Sequence, residues 1–125
     1  MEKLPKISES EWLVMQVLWS KGPLTANEVV EQLARKTKWN PRTVKTLINR
    51  LLKKGALNFQ KQGRQYRYFA AVSESKCVRK ETQSFVRRVY GGAVRPMLAS
   101  FLEDTDLSPD EIKDLKKILD QKGGD

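Results

Sequence analysis

Histidine is absent from all 125 residues, and cysteine occurs once, as Cys77. Without histidine the common zinc ligand sets cannot be assembled, and the side chain most used for proton transfer near neutral pH is missing. No metal or cofactor is therefore expected, and an enzyme is a distant reading, since the Ser and Thr hydroxyls have no histidine partner. A single cysteine forms no internal disulfide, so Cys77 reads as a small, half-buried apolar residue. No apolar run reaches the roughly eighteen residues of a membrane span, and no apolar stretch follows a basic start near the N-terminus. The chain is thus expected to stay in the cytoplasm, with no membrane insertion of its own.

Negative charge is scarce in one half only. Residues 1–72 carry 14 Lys+Arg against 5 Asp+Glu, whereas residues 73–125 carry 10 of each, so the entire formal charge of +9 lies in the first 72 residues. A basic block of this kind is the footprint of a polyanion binder, because each phosphate neutralised releases counterions. Halves this small bury little apolar surface alone, which favours an oligomer.

Three segments begin with Ser or Thr followed three residues later by Glu, the pattern of the reciprocal capping box: Ser8–Glu11, Thr25–Glu28 and Ser108–Glu111. The first starts a helix over 8–20 with Trp12, Met15 and Trp19 at helical spacing as core residues. A second covers 25–36, with Val29, Val30 and Leu33 inward. Asn40-Pro41 opens a third, whose stripe of Val44, Leu47, Ile48, Leu51 and Leu52 runs to a left-handed cap at Gly55. Its outer face carries Arg42, Thr43, Lys45, Thr46, Asn49, Arg50 and Lys53 without one carboxylate, so it suits something negative. Two short alternating runs, Ala56–Gln60 and Gln65–Ala70, then flank Lys61-Gln62-Gly63-Arg64 and predict a basic-tipped hairpin, with Phe59, Tyr66, Tyr68 and Phe69 mostly packed on the helices. Beyond Ser73, three helices over 74–90, 93–103 and 109–121 each show one apolar stripe and precede a frayed Lys-Gly-Gly-Asp tail.

Helix, helix, basic helix, basic hairpin is the order of a winged helix-turn-helix. The fold is therefore expected to be mainly α: a winged helix-turn-helix DNA-binding domain of three helices and a two-stranded wing over 1–72, then a three-helix dimerisation segment over 73–125. In that frame Arg42, Thr43, Lys45, Thr46, Asn49 and Arg50 form the recognition helix surface, and Lys53, Lys61 and Arg64 reach the DNA backbone. The stripes of Phe85, Val89, Val94, Met97, Leu98, Phe101, Leu102, Leu115, Ile118 and Leu119 would pair two copies, since each helix is too short to be stable with its stripe in water.

Ile7-Ser8-Glu9-Ser10-Glu11-Trp12, Trp39 to Leu47, Arg50 to Gly55, Val89-Tyr90-Gly91-Gly92 and Phe101-Leu102-Glu103 with Leu107-Ser108 give the chain a likeness over Ile7–Leu119. It resembles the BlaI/MecI penicillinase and methicillin-resistance repressors. The resemblance implies a homodimer on a palindromic double-stranded operator, control of β-lactam resistance genes, and release by proteolysis through a membrane-bound sensor protease or a protease it activates. The family's cleavage site maps to Ser100–Phe101, with Ser100 where the best-known members have Asn; Phe101 also reads as a dimer-core aromatic. A related copper-responsive branch has paired cysteines near its C-terminus, which Gln121-Lys122-Gly123-Gly124-Asp125 lacks. Two alternatives stay open: release by a small ligand with another regulon, and a winged-helix adaptor that binds protein.

Overall fold

The computed structural model describes residues 4–124, which fall into two compact units divided between Arg79 and Lys80. The first holds α1 (Glu9–Lys21), α2 (Ala26–Ala34), α3 (Pro41–Lys54), β1 (Leu57–Gln62), β2 (Gln65–Ala70) and the first turns of α4 (Glu74–Tyr90). Its helices start where their caps dictate. Ser8 and Thr25 each accept from the backbone N–H three residues on, while Glu11 and Glu28 accept from the cap backbone in return. Asn40 Oδ1 accepts from Thr43 N–H at 2.9 Å, and α3 ends at Gly55, whose φ of +81° lets the N–H groups of Gly55 and Ala56 close on Leu52 and Leu51 carbonyls.

The apolar stripes of these helices meet in one core. Val14, Met15, Val29, Leu33, Val44, Ile48 and Leu51 are fully shielded, and Leu57, Val72 and Cys77 close it from below the wing and from α4. Trp12 and Trp19 lie at its rim, half-buried, their rings 5.5 Å apart, and Trp19 Nε1 donates to the Val72 carbonyl at 3.0 Å. A polar ring edge explains the rim position: a wholly buried indole N–H would need a partner deeper in the core.

β1 and β2 pair antiparallel from Leu57↔Ala70 to Gln62↔Gln65. Lys61 and Gln62, expected in the turn, belong to β1, because Gly63 at φ +63° supplies the positive dihedral that lets a two-residue turn close the hairpin. Leu24, just before α2, adds a bridge to the open edge of β2, exchanging hydrogen bonds of 3.0 and 2.7 Å with Tyr68.

The second unit comprises the rest of α4, α5 (Val94–Glu103) and α6 (Pro109–Gly123). Gly91 and Gly92, at φ +59° and +89°, turn the chain after α4, and Gly92 N–H reaches the Val86 carbonyl at 3.1 Å. Ser108 and Glu111 complete the third capping box. Helix α6 continues two residues past 121, taking in Lys122 and Gly123 of the tail; Asp125 lies outside the described residues. Among the described residues of this unit Val86 alone is buried. No described helix is long and apolar enough to cross a membrane.

Candidate nucleic-acid interface

Helix α3 buries Val44, Leu47, Ile48 and Leu51, and the 3.6-residue period then forces the intervening side chains outward. Arg42, Lys45, Thr46, Asn49, Arg50 and Lys53 are exposed, and Thr43 is half-buried. The Thr46 hydroxyl donates to the Arg42 carbonyl at 2.9 Å, which fixes its rotamer and leaves lone pairs to accept from a base amino group. Arg42, Lys45 and Asn49 supply donors along the same surface. No acidic residue lies in the first turn, so the positive end of the helix dipole adds to the field of these side chains.

The ion pairs Lys54–Glu11 and Arg67–Glu28 engage no cation of this face. In the wing, Lys61 and Arg64 are exposed, with the Lys61 ammonium 6.0 Å from the Tyr66 ring centre. The wing aromatics depart from expectation. Tyr68 does pack against the core, but Phe59 and Tyr66 stay 45 and 43% exposed and pack on one another edge to face at 5.0 Å. The hairpin projects beyond the helices at that point, so cross-strand stacking replaces burial.

Three contacts escaped sequence reading. Glu11, 1% exposed, receives Lys54 Nζ from the last turn of α3 in addition to its capping bonds, and Lys54 Nζ also donates to the Lys6 carbonyl at 2.9 Å. Burial pushes the Glu11 carboxyl up, but the hydrogen bonds of Lys54 and Ser8 outweigh it and hold its pKa below the ordinary 4.5. The Leu24–Tyr68 bridge is the second. The third is Arg67, whose Nη1 lies 3.6 Å from Glu28 Oε1 while its Nε donates to Gln62 Oε1 at 2.9 Å. The backbone and hydroxyl of Thr25 lower the Glu28 pKa, with a smaller pull from Arg67. Charge complementarity was visible in the composition, but no spacing rule pairs residues 39 to 43 positions apart.

The ten apolar residues assigned to pairing all lie in the second unit, where Phe85, Val89, Val94, Leu98, Phe101, Leu102, Leu115, Ile118 and Leu119 are exposed and Met97 is half-buried. Ser100 and Phe101 sit inside α5, both exposed, and the Thr105 hydroxyl donates to the Phe101 carbonyl. The first turn of α5 has no side-chain cap and none of its residues is buried.

Residues 7–121 match the family model described as penicillinase repressor. Over 97% of the chain it is 40% identical to the penicillinase repressor of Bacillus licheniformis, covering 94% of that protein. It is 38% identical to the methicillin resistance regulatory protein MecI of Staphylococcus aureus over 96% of the chain and 98% of that protein. The solution structure of Bacillus licheniformis BlaI in its monomeric form, in complex with the blaP half-operator, superposes with a TM-score of 0.53 at 43% identity, covering 60% of this chain and 92% of that one. Full-length similarity to these repressors, on a winged-helix unit followed by three helices, establishes that the chain belongs to the penicillinase repressor family.

Proposed function

We propose that this chain is a cytoplasmic transcriptional repressor, without enzymatic activity, that binds a palindromic operator as a homodimer. The observation that carries the reading is the exposed, carboxylate-free face of α3 within residues 1–72, which hold the whole net charge. Arg42, Thr43, Lys45, Thr46, Asn49 and Arg50 read the major groove, and Lys53, Lys61 and Arg64 neutralise phosphates. The first unit, extended into α4 by the burial of Cys77, is the DNA-binding domain; the helices beyond it are the dimerisation domain. Kinship with penicillinase and methicillin-resistance regulators supports β-lactam resistance genes as the regulon.

Binding should weaken steeply with salt. With roughly six to ten phosphates contacted per dimer, the log–log slope of affinity against salt is expected near −5 to −9. Gel-shift titrations on a fragment of the chain's own promoter measure it, and binding that ignores salt, or none to any duplex, rejects the reading.

Release by proteolysis at Ser100–Phe101 fits the same design. A protease takes its substrate extended, so the end of α5 must first unwind; within one copy α5 buries no residue and has no side-chain cap, so only pairing with the second copy opposes this. The cut detaches α6 and leaves the DNA-reading unit whole.

A further inference from the structure

The tip of the wing has little to hold it. β1 buries only Leu57, and every residue from Asn58 to Tyr66 is exposed, although a two-stranded hairpin alone is marginal in water. The strand register divides its side chains between two faces. Phe59, Lys61, Tyr66 and Tyr68 share one, where the Phe59 ring lies 5.0 Å from Tyr66 and 6.3 Å from Tyr68. Gln62 and Arg67 share the other.

On that second face Arg67 spans from the tip to the helices. Its Nε donates to Gln62 Oε1 at 2.9 Å, one residue before the Gly63–Arg64 turn, and its Nη1 faces Glu28 Oε1 at 3.6 Å. Glu28 is no loose surface carboxylate, because Thr25 N–H donates to the same Oε1 at 2.9 Å and ties it to the first turn of α2. Only a guanidinium offers Nε and Nη in one rigid plane to two acceptors. We propose that Arg67 is a positioning residue: a strut between α2 and the wing tip that holds Lys61 and Arg64 where they meet phosphates, and not itself a phosphate contact. The inference rests on the DNA-binding reading above.

The sign of one substitution separates the roles. Glu28→Gln keeps the capping box, which accepts Gln at that position, and removes a negative charge from the DNA-binding unit. Electrostatics alone would tighten DNA binding; loss of the strut weakens it, by about three-fold for an exposed pair, with a shallower salt slope. The probe is a duplex that the full wild-type chain enriches from a random pool, titrated by fluorescence anisotropy at several salt concentrations. Arg67→Gln and Arg67→Lys should both weaken binding, and neither should cost more once Lys61→Ala and Arg64→Ala are present. Tighter binding by Glu28→Gln overturns the proposal. So does rescue by Arg67→Lys, or a further slope loss of about 0.9 for Arg67→Gln in the Lys61/Arg64 background, the mark of a direct phosphate contact. An equal loss in that background with a lowered thermal midpoint assigns Arg67 to folding and also overturns it. Failure of the wild-type chain to enrich any duplex defeats the DNA reading beneath, whereas a wild-type binder whose Glu28→Gln variant binds more tightly defeats the strut alone.

Discussion

Up to Arg79 the large apolar side chains Met15, Leu33, Ile48 and Leu51 are shut away from water, whereas from Lys80 onward Phe101, Ile118 and Leu119 stand 60, 60 and 61% exposed. Both regions are built from short helices with apolar stripes. The difference lies in what each helix can find within its own unit: α1, α2 and α3 cover one another and the base of the wing, while α5 and α6 bury no residue at all. Covering a large apolar side chain is worth about 1.5–3 kcal/mol. The first unit collects that stabilisation within one chain, and under the proposed function the second collects it from another copy.

The strongest way to break this contrast is Phe101→Asp. A charge in an apolar interface has no partner, so the dimer should split and operator affinity should fall by about two orders of magnitude or more as the benefit of a tethered second half-site is lost. Sedimentation beside operator titration measures both, and a full-affinity dimer at nanomolar concentration would remove pairing as the point of control. Leu51→Ala tests the other side. It opens a cavity in a closed core and should cost about 2–5 kcal/mol in urea unfolding followed by Trp fluorescence, whatever the protein concentration, whereas Leu119→Ala should show a loss that depends on concentration. Equal concentration dependence for the two would erase the distinction between the units.

Within the first unit, Arg42→Ala or Thr46→Ala should relax operator specificity by about 1–3 kcal/mol at the contacted base, and Arg64→Ala should weaken all duplexes alike. Selection from a random pool decides it, with an unchanged consensus for the α3 variants counting against their assignment. The smallest effect concerns acid. The Glu11 pKa is lower in the folded chain than its ordinary 4.5, so the Lys54–Glu11 contact stabilises fully above that value and fades as pH falls through the lowered one. Wild type should therefore be more stable than Glu11→Gln near neutrality, with the gap in thermal midpoint closing in acid; a gap that stays constant down to pH 3 would place the stabilisation elsewhere.

Much of the fold was legible because its signals are local. The three capping boxes, Asn40-Pro41, Gly55 and the apolar periods act over three to seven residues, and the helices begin and end within about two residues of where those signals put them. The outward face of α3 followed from the same period. The wing was less legible. Strand pairing is non-local, so no local signal shows that Lys61 and Gln62 belong to β1, that Phe59 and Tyr66 stay in water, that Leu24 bridges the edge of β2 or that Arg67 reaches Glu28.

Two copies of one motif mark the boundary. Ser8–Glu11 and Ser108–Glu111 are the same capping box, with backbone N–H to Oε1 distances of 2.8 and 3.0 Å, and each was plain from four residues of chain. Yet Glu11 is sealed beneath the end of α3 and paired with Lys54, while Glu111 stays in water, its pKa lowered by Ser108 alone. A cap is satisfied within one turn of helix and so is written into the residues on either side of it. Burial depends on which distant segment comes to rest above that turn, and that is decided when the chain closes on itself.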